Sequence, residues 1–142
     1  METDTKIFKG LRWLKNQQNL LNGDPSDVFS SLLVKMARVD TLPFILYERG
    51  SPSPFRTKTD TKDSSFETFC FRIENIDEQA TTALVSMLHP INVYGETAVD
   101  LDELYLLKRT SNFLSLNVNQ FTAIRCLDIE LMKRSIIIEP KW

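Results

Sequence analysis

Residues 66–73 have the sequence FETFCFRI, in which aromatic or branched residues alternate with polar or small ones from position 68 onward. A period of two residues is the pattern of a β-strand, because successive side chains point to opposite faces. The stretch LPFILYE at 42–48 is also rich in aromatic and branched residues, which favour strands. The two stretches predict neighbouring strands, so the chain contains a β-sheet.

Two helices are predicted before the first of these strands. Apolar residues recur at helical spacing over 6–21 and form one narrow stripe, namely Ile7, Leu11, Leu14 and Leu21. Gly23 is typical of a helix end, and Asp24 followed by Pro25 is typical of a helix start. A broad apolar face then extends to Val39. The sequence therefore predicts an N-terminal helical hairpin.

Two further short helices are predicted after residue 73. The first covers 77–88 and ends before Pro90, because the residue that precedes a proline resists helical angles. The second begins near Asp100, which forms a capping-box pattern with Glu103. Between them, the stretch INVY at 91–94 predicts a short strand.

The C-terminal part of the chain fits either a helix or a strand over 121–134, and we interpret it as strand. Leu127, Ile129 and Leu131 alternate with acidic residues, whereas on a helix the apolar residues would scatter to nearly every side. The end of the chain then predicts a meander of strands. We expect an α+β fold class, in which the helical hairpin packs on a mainly antiparallel sheet, and a single compact domain over 1–142.

A long polar segment at 50–65 connects the two opening strands, and we predict an exposed loop there. Connections of this length tend to be functional or disordered. Phe55 is an isolated apolar residue that is followed by the basic residues Arg56 and Lys58. These three residues are candidate contacts for a partner protein or for a single-stranded nucleic acid.

The same segment contains two Ser-Pro pairs, which begin at Ser51 and Ser53. Phosphorylation of either serine would add negative charge beside Arg49 and Arg56. Charge-assisted hydrogen bonds between phosphate and arginine can order a loop. The segment is therefore a candidate regulatory loop.

The first predicted helix carries a second candidate surface. Trp13 and Leu20 fall opposite the apolar stripe, beside Lys9. In one interpretation Trp13 is a core residue between the sheet and the second helix. In the other it is an exposed anchor for a partner protein, because tryptophan is enriched at interface hot spots. Membrane contact through the basic side of this helix is a third alternative, which we do not expect.

Composition excludes several classes of protein. Seventeen basic and nineteen acidic side chains give a formal charge of -2, so nothing draws the whole molecule to a polyanion. The chain has no long apolar run and no signal-like start, and Cys70 and Cys126 form no metal-binding spacing. We expect an intracellular protein, cytoplasmic or nuclear, with free thiols.

No catalytic pattern stands out in the sequence. The chain has one histidine, His89, and four glycines, and it lacks the common nucleophile, phosphate-loop and zinc motifs. The acidic residues Asp100, Asp102 and Glu103 fit helix capping better than a cation site. We therefore expect no enzymatic activity, no cofactor and no metal.

These observations favour a non-enzymatic protein–protein interaction module: an adaptor, an assembly subunit or a regulatory protein, for which we consider a viral or a eukaryotic source. The alternative is a nucleic-acid-binding domain in which strand aromatics such as Phe44, Tyr47 or Phe69 stack bases beside the basic 50–65 loop. The acidic isoelectric point of about 5.4 argues against it. We also predict a homodimer through a C-terminal edge strand that contains a β-branched run. The run consists of Ile136, Ile137 and Ile138.

Overall fold

The computed structural model of the protein describes residues 2–21, 41–59, 65–127 and 137–139. These ranges contain one long helix, eight strands and two short 3₁₀ helices. The elements are α1 (Glu2–Leu21), β1 (Phe44–Glu48), β2 (Thr57–Lys58), β3 (Glu67–Thr68), β4 (Cys70–Asp77), β5 (Thr82–Ile91), a 3₁₀ helix (Leu101–Glu103), β6 (Leu106–Asn117), a second 3₁₀ helix (Val118–Gln120), β7 (Phe121–Cys126) and β8 (Ile137–Glu139).

Six strands form the main sheet, in the order β7-β1-β4-β5-β6-β8. Neighbours are antiparallel except for β6 and β8, which run parallel. Strands β2 and β3 form a separate antiparallel pair. The described residues therefore form an α+β structure with a mainly antiparallel sheet, as predicted.

The sheet is curled rather than flat. Strands β6 and β7 are joined by the three residues Val118–Gln120, although three other strands lie between them in the sheet. Four strand spacings in a flat sheet would measure about 19 Å, whereas the connection from Asn117 to Phe121 reaches at most about 14 Å. The sheet must therefore bend so that β6 and β7 approach each other at this end.

Helix α1 packs on one face of the curled sheet, against β4 and β7. Its apolar stripe provides Ile7, Leu11 and Leu14 to a buried cluster, which we call the first core. The sheet provides the rest of the first core: Phe44, Leu46, Phe71, Ile73, Ala83, Val85, Met87, Leu116 and Phe121, among others. The apolar residues of α1 recur at helical spacing because they form the face of the helix that is buried against the sheet.

A polar side chain continues the stripe of α1. Gln18 is buried, and its Nε2 donates a hydrogen bond to the carbonyl oxygen of Ile73 over 2.9 Å. Its Oε1 accepts a hydrogen bond from the backbone amide of Leu42 over 3.3 Å. A buried amide that is satisfied in this way costs little and fixes the helix along the sheet.

The other face of the sheet carries a second buried cluster, the second core. It contains Ile45, Phe69, Cys70, Leu88, Ala98, Leu104, Leu107 and Leu127. Strand β1 therefore has buried side chains on both faces, with Phe44 and Leu46 in the first core and Ile45 in the second. This explains its continuous apolar sequence, which is typical of a strand covered on both sides.

The predicted helix at 77–88 is wrong. Strand β4 continues to Asp77, a turn follows, and β5 begins at Thr82. The Asp77 carboxylate accepts a hydrogen bond from the backbone amide of Ala80 over 3.2 Å, which closes the turn. Pro90 is tolerated in β5 because pairing with β4 ends at Leu88.

The second predicted short helix is reduced to the 3₁₀ turn Leu101–Glu103, in which Asp100 is the N-cap as expected. The predicted strand at 91–94 is also wrong, since β5 ends at Ile91 and a turn follows. The second helix of the hairpin was predicted over 25–39, which lies outside the described residues.

The strand interpretation of the C-terminal part is confirmed for Phe121–Cys126, and residues 128–136 lie outside the described residues. The predicted meander is wrong, because β7 pairs with β1 at one edge of the sheet. Strand β8 lies at the other edge, beside β6.

Candidate functional site

The candidate surface on α1 was predicted around Trp13, Leu20 and Lys9. Trp13 is 56% exposed, and Lys9, one turn before it, is also exposed. Leu20 belongs to α1, but its side chain lies outside what the structure describes. Trp13 is therefore exposed in the described structure, and its role as a partner anchor stays a prediction.

Two basic residues of α1 attach the helix to the rest of the molecule. Arg12 forms an ion pair with Glu78, in the turn between β4 and β5. The Lys15 ammonium donates a hydrogen bond to the Asn75 side-chain oxygen over 3.2 Å. These contacts engage part of the basic side of α1 within the protein itself.

The 50–65 segment differs from the exposed loop that was predicted. Phe55 is half-buried against the first core, with its ring centroid 5.9 Å from that of Phe71 and 5.1 Å from that of Phe121. The backbone amide of Phe55 donates to the carbonyl of Leu46 over 2.7 Å. Phe55 is thus a core contact, and its expected role as an exposed partner anchor does not fit this position.

The other candidates in the segment occupy different environments. The Arg56 guanidinium lies 5.0 Å from the ring centroid of Phe69, a cation–π geometry, and is half-buried. Lys58 is exposed in β2. Ser51 and Ser53 are exposed, and the Ser51 hydroxyl accepts a hydrogen bond from the Ser53 amide over 3.4 Å. Residues 60–64 lie outside the described residues.

Two of the three aromatics proposed for base stacking are buried, and the third is partly buried. Phe44 and Phe69 are buried, and Tyr47 is packed against the second core. Among the C-terminal isoleucines, Ile137 and Ile138 belong to β8 and pair with β6. The structure does not describe their side chains, and Ile136 lies outside the described residues.

The segment 92–105, between β5 and β6, forms a surface that the sequence patterns did not indicate. We call it the 92–105 loop. Its ends are close together, because Ile91 pairs with Leu106 where the two strands meet. Compact surface loops with adjoining ends are frequently functional.

Hydrogen bonds hold the first half of the 92–105 loop. The Asn92 side-chain oxygen accepts from the backbone amides of Tyr94 and Glu96 over 2.9 and 3.0 Å. Gly95 adopts a positive φ of 81°, which a glycine tolerates without steric cost. Ala98 is buried in the second core, and its amide donates to the carbonyl of Pro90 over 2.9 Å.

The second half of the loop is held in the same manner. One carboxylate oxygen of Glu103 accepts from the Val99 amide over 3.0 Å, and the Asp100 carboxylate accepts from the Glu103 amide over 3.2 Å. Leu104 is buried in the second core. The Tyr105 amide donates to the carbonyl of Ile91 over 2.9 Å. The loop is therefore anchored at both ends and at two internal points.

Large apolar side chains of this loop are nevertheless exposed to solvent. Tyr94 is 83% exposed, and Val93, Val99 and Tyr105 are exposed as well. A groove of about 480 Å³ lies beside three of them, and it is lined by Asn92, Val93, Tyr94, Asp102, Glu103, Leu104 and Tyr105. Single exposed apolar residues are ordinary, but a cluster around a groove is typical of an interaction site.

All charged side chains of the 92–105 loop are acidic. Residues 92–105 contain Glu96, Asp100, Asp102 and Glu103, and neither lysine nor arginine. The groove therefore combines two tyrosine rings with carboxylates at its wall. The pair Tyr94-Gly95 is a turn signal in the sequence, whereas the local patterns predict a strand at 91–94 and a helix near Asp100.

The thiol of Cys70 and the metal-ligating side chains of the described residues can each be described. Burial raises the pKa of the Cys70 thiol well above its usual range, so Cys70 resists forming the thiolate that a nucleophile requires. In the described ranges, His, Cys, Asp and Glu side chains form no group of three that could hold a metal ion. Helix α1, which is the long helix of these ranges, is not apolar enough to cross a membrane.

Comparisons of the chain with protein-family models, with curated proteins and with solved structures gave no match.

Proposed function

We propose that this protein is a non-enzymatic protein–protein interaction module, an adaptor, assembly or regulatory protein, that binds its partner through the 92–105 loop. The observation that supports the proposal is a loop held by hydrogen bonds and by two buried anchors that presents four large apolar side chains to solvent. These side chains belong to neither of the two cores.

The energetics of association favour such a surface. Burial of apolar area against a partner contributes about 25 cal/mol per Å² before the costs of association are subtracted. A loop that is already ordered loses little conformational entropy when it binds. Tyrosine adds a large contact area with few rotatable bonds, so Tyr94 and Tyr105 are suited to this role.

We further propose that the protein acts inside the cell. The two cysteines form no disulfide in the structure, with Cys70 buried on β4 and Cys126 half-buried on β7. Free thiols are the ordinary state of cysteine in a reducing compartment.

A peptide selection that makes no assumption about the ligand tests the function. The full chain is used to select binders from a library of short random peptides displayed on phage, and each selected peptide is titrated while backbone amide NMR shifts are recorded. We expect the shifts to centre on the 92–105 loop and Tyr94→Ala to abolish binding. The matched control is Phe113→Ala, which removes an exposed aromatic side chain outside the loop.

Two results would count against the proposal. One is a set of peptides whose shifts centre elsewhere, for example around Trp13 on α1. The other is binding at the loop that survives Tyr94→Ala unchanged.

A further inference from the structure

We infer that Ser51 is a phosphorylation site for a protein kinase that requires proline after its target serine, and that Arg49 holds the resulting phosphate. This inference is independent of the 92–105 loop. It concerns residues 49–53, which follow β1 and which we call the 49–53 tip.

The 49–53 tip projects from the sheet and is fixed at its base. The Ser51 amide donates to the carbonyl oxygen of Glu48 over 3.1 Å, which closes a turn at the end of β1. The chain then returns along β1, where Pro54 pairs with Tyr47. Every residue of the tip is exposed. A kinase can therefore reach the tip while the sheet stays folded.

The two Ser-Pro pairs differ in how firmly the protein holds them. Ser51 and Pro52 both lie within the exposed tip. Ser53 is followed by Pro54, which is half-buried, and by Phe55, which packs against the first core. Phosphoryl transfer requires the attacking oxygen to lie in line with the leaving group, so the serine and its neighbours must fit the kinase active site together. The fold thus favours Ser51, because Ser53 can enter only after the contacts of Phe55 break.

The Ser51 hydroxyl is held only weakly. It donates to the carbonyl oxygen of Ser53 over 3.3 Å and accepts from the Ser53 amide over 3.4 Å, and both distances are long for hydrogen bonds. In the transfer, Oγ of Ser51 forms a bond to the γ-phosphorus of ATP. The bond from that phosphorus to the bridging oxygen breaks, ADP leaves, and the hydroxyl proton passes to the catalytic aspartate of the kinase.

Arg49 lies two residues before Ser51 and has N–H donors to spare. Its Nη2 donates to the carbonyl oxygen of Asn119 over 3.4 Å, and in the part of the chain that the structure describes no carboxylate forms an ion pair with it. A guanidinium carries several further N–H groups, which match the oxygens of a phosphate and form charge-assisted hydrogen bonds with them.

The charge along this stretch suits a phosphate. Residues 49–59 include Arg49, Arg56 and Lys58 and neither aspartate nor glutamate. Glu48 precedes them, and its carboxylate accepts a hydrogen bond from the Gln120 side chain over 3.0 Å. A phosphoserine, with a charge of about -1.5 to -2, therefore meets more positive than negative charge along the segment.

Kinase treatment of the full chain tests the choice of serine. The protein is incubated with ATP and a cyclin-dependent kinase, and mass spectrometry follows phosphate at each serine over time. We expect incorporation at Ser51 to be at least about tenfold faster than at Ser53, because only molecules with Phe55 displaced present Ser53. A synthetic peptide of residues 47–58, which lacks the fold, should show similar rates at both serines.

Matched variants identify the site directly. Ser51→Ala should remove most of the incorporation into the full chain, and Ser53→Ala should leave it unchanged. Absence of phosphate at Ser51 in the full chain overturns the inference. Equal rates at the two serines of the full chain, or the same preference in the peptide, also overturn it.

A separate measurement tests the role of Arg49. Phosphorus NMR of the phosphorylated protein gives the second pKa of the phosphate, which is ordinarily about 6. A neighbouring guanidinium favours the doubly charged form, so we expect this pKa to be lowered and Arg49→Gln to raise it again. Lys58→Gln, which removes an exposed positive charge on β2, is the control and should leave it unchanged. A titration that Arg49→Gln does not alter would show that Arg49 does not hold the phosphate.

Discussion

The imidazole of His89 stacks on the ring of Phe66, with ring centroids 4.1 Å apart and planes inclined by 11°. His89 Nε2 also lies 2.9 Å from the hydroxyl oxygen of Thr97, and Lys108 is opposite His89 in the pairing of β5 with β6. One half-buried side chain thus connects the end of the 50–65 segment with the 92–105 loop. Burial, and to a lesser degree the charge of Lys108, lower the pKa of His89.

The lowered pKa of His89 predicts a loss of stability in acid. The unfolded chain, with an ordinary histidine pKa near 6.5, binds the proton more readily than the folded protein. The free energy of unfolding therefore falls as the pH drops through about 6.5 toward the lower folded-state pKa, and His89 adds no further change below it. His89→Phe keeps a ring against Phe66 and removes the titration. Denaturant unfolding at several pH values should show a smaller loss on acidification in His89→Phe, and equal losses would contradict the prediction.

A buried ion pair on β4 predicts a large effect of one substitution. Arg72 pairs with Glu74, and their side chains are 9% and 18% exposed. Glu74→Ala leaves the guanidinium of Arg72 without its carboxylate in a buried setting, so we expect the free energy of unfolding to fall by about 3 kcal/mol. The matched control is Glu78→Ala, which breaks the half-exposed pair with Arg12 and should cost about 0.5 kcal/mol. Urea unfolding measures both, and similar losses would show that Arg72 does not depend on Glu74.

The elements that could be predicted from the sequence are those whose apolar residues lie on one face of a helix or alternate with polar residues along a strand. Helix α1 buries one stripe, and β4 alternates, so both patterns follow from a single period. Strand β5 was missed because it buries Val85 and Met87 in the first core and Leu88 in the second, which removes the alternation.

The candidate site was not predictable for a different reason. The turn residues Asn92 and Gly95 and the cap Asp100 are visible in the sequence. Whether Tyr94 is buried or exposed depends on how Ala98 and Leu104 attach the loop to the second core. That attachment involves residues distant in sequence, such as Ile45 and Cys70, which a local pattern does not reveal.

The close approach of α1 to β7 predicts a non-additive pair of substitutions. A Cβ atom at Gly10 would lie 2.9 Å from Cγ2 of Ile124. Glycine to alanine within a helix ordinarily stabilises by about 0.5 to 1 kcal/mol. Here the β-branched Ile124 moves with difficulty, so overpacking should outweigh that gain and leave a net loss of about 1 kcal/mol.

The control for Gly10→Ala is the same change in an Ile124→Ala background, which lacks the obstructing atom. There Gly10→Ala should stabilise the protein. Thermal unfolding of the four proteins gives the coupling free energy, and simple additivity would show that α1 shifts to accommodate the methyl group.

The packing of Phe55 predicts that it matters for stability. Its ring lies among the rings of Phe71 and Phe121, so Phe55→Ala should lower the free energy of unfolding by about 2 to 3 kcal/mol. Phe113 is 56% exposed on β6, and Phe113→Ala should cost less than about 1 kcal/mol. Denaturant unfolding measures the free energy of unfolding of both variants. If the Phe55→Ala protein were as stable as the Phe113→Ala protein, Phe55 would be a surface residue and the prediction would be wrong.

Trp13 and Leu14 are consecutive residues of α1 with opposite environments, 56% and 1% exposed. Leu14→Ala should lower the free energy of unfolding by about 2 to 5 kcal/mol, because it leaves a cavity in the first core, whereas Trp13→Ala should change it by less than about 1 kcal/mol. With Trp142 replaced by phenylalanine, acrylamide should quench the fluorescence of Trp13 readily. Weak quenching together with a large loss of stability in Trp13→Ala would show that Trp13 is a core residue.

The same variant also tests where peptides bind. Because the proposed binding surface is the 92–105 loop, Trp13→Ala should leave the affinity for selected peptides unchanged. A loss of that affinity would show that the binding surface lies on α1.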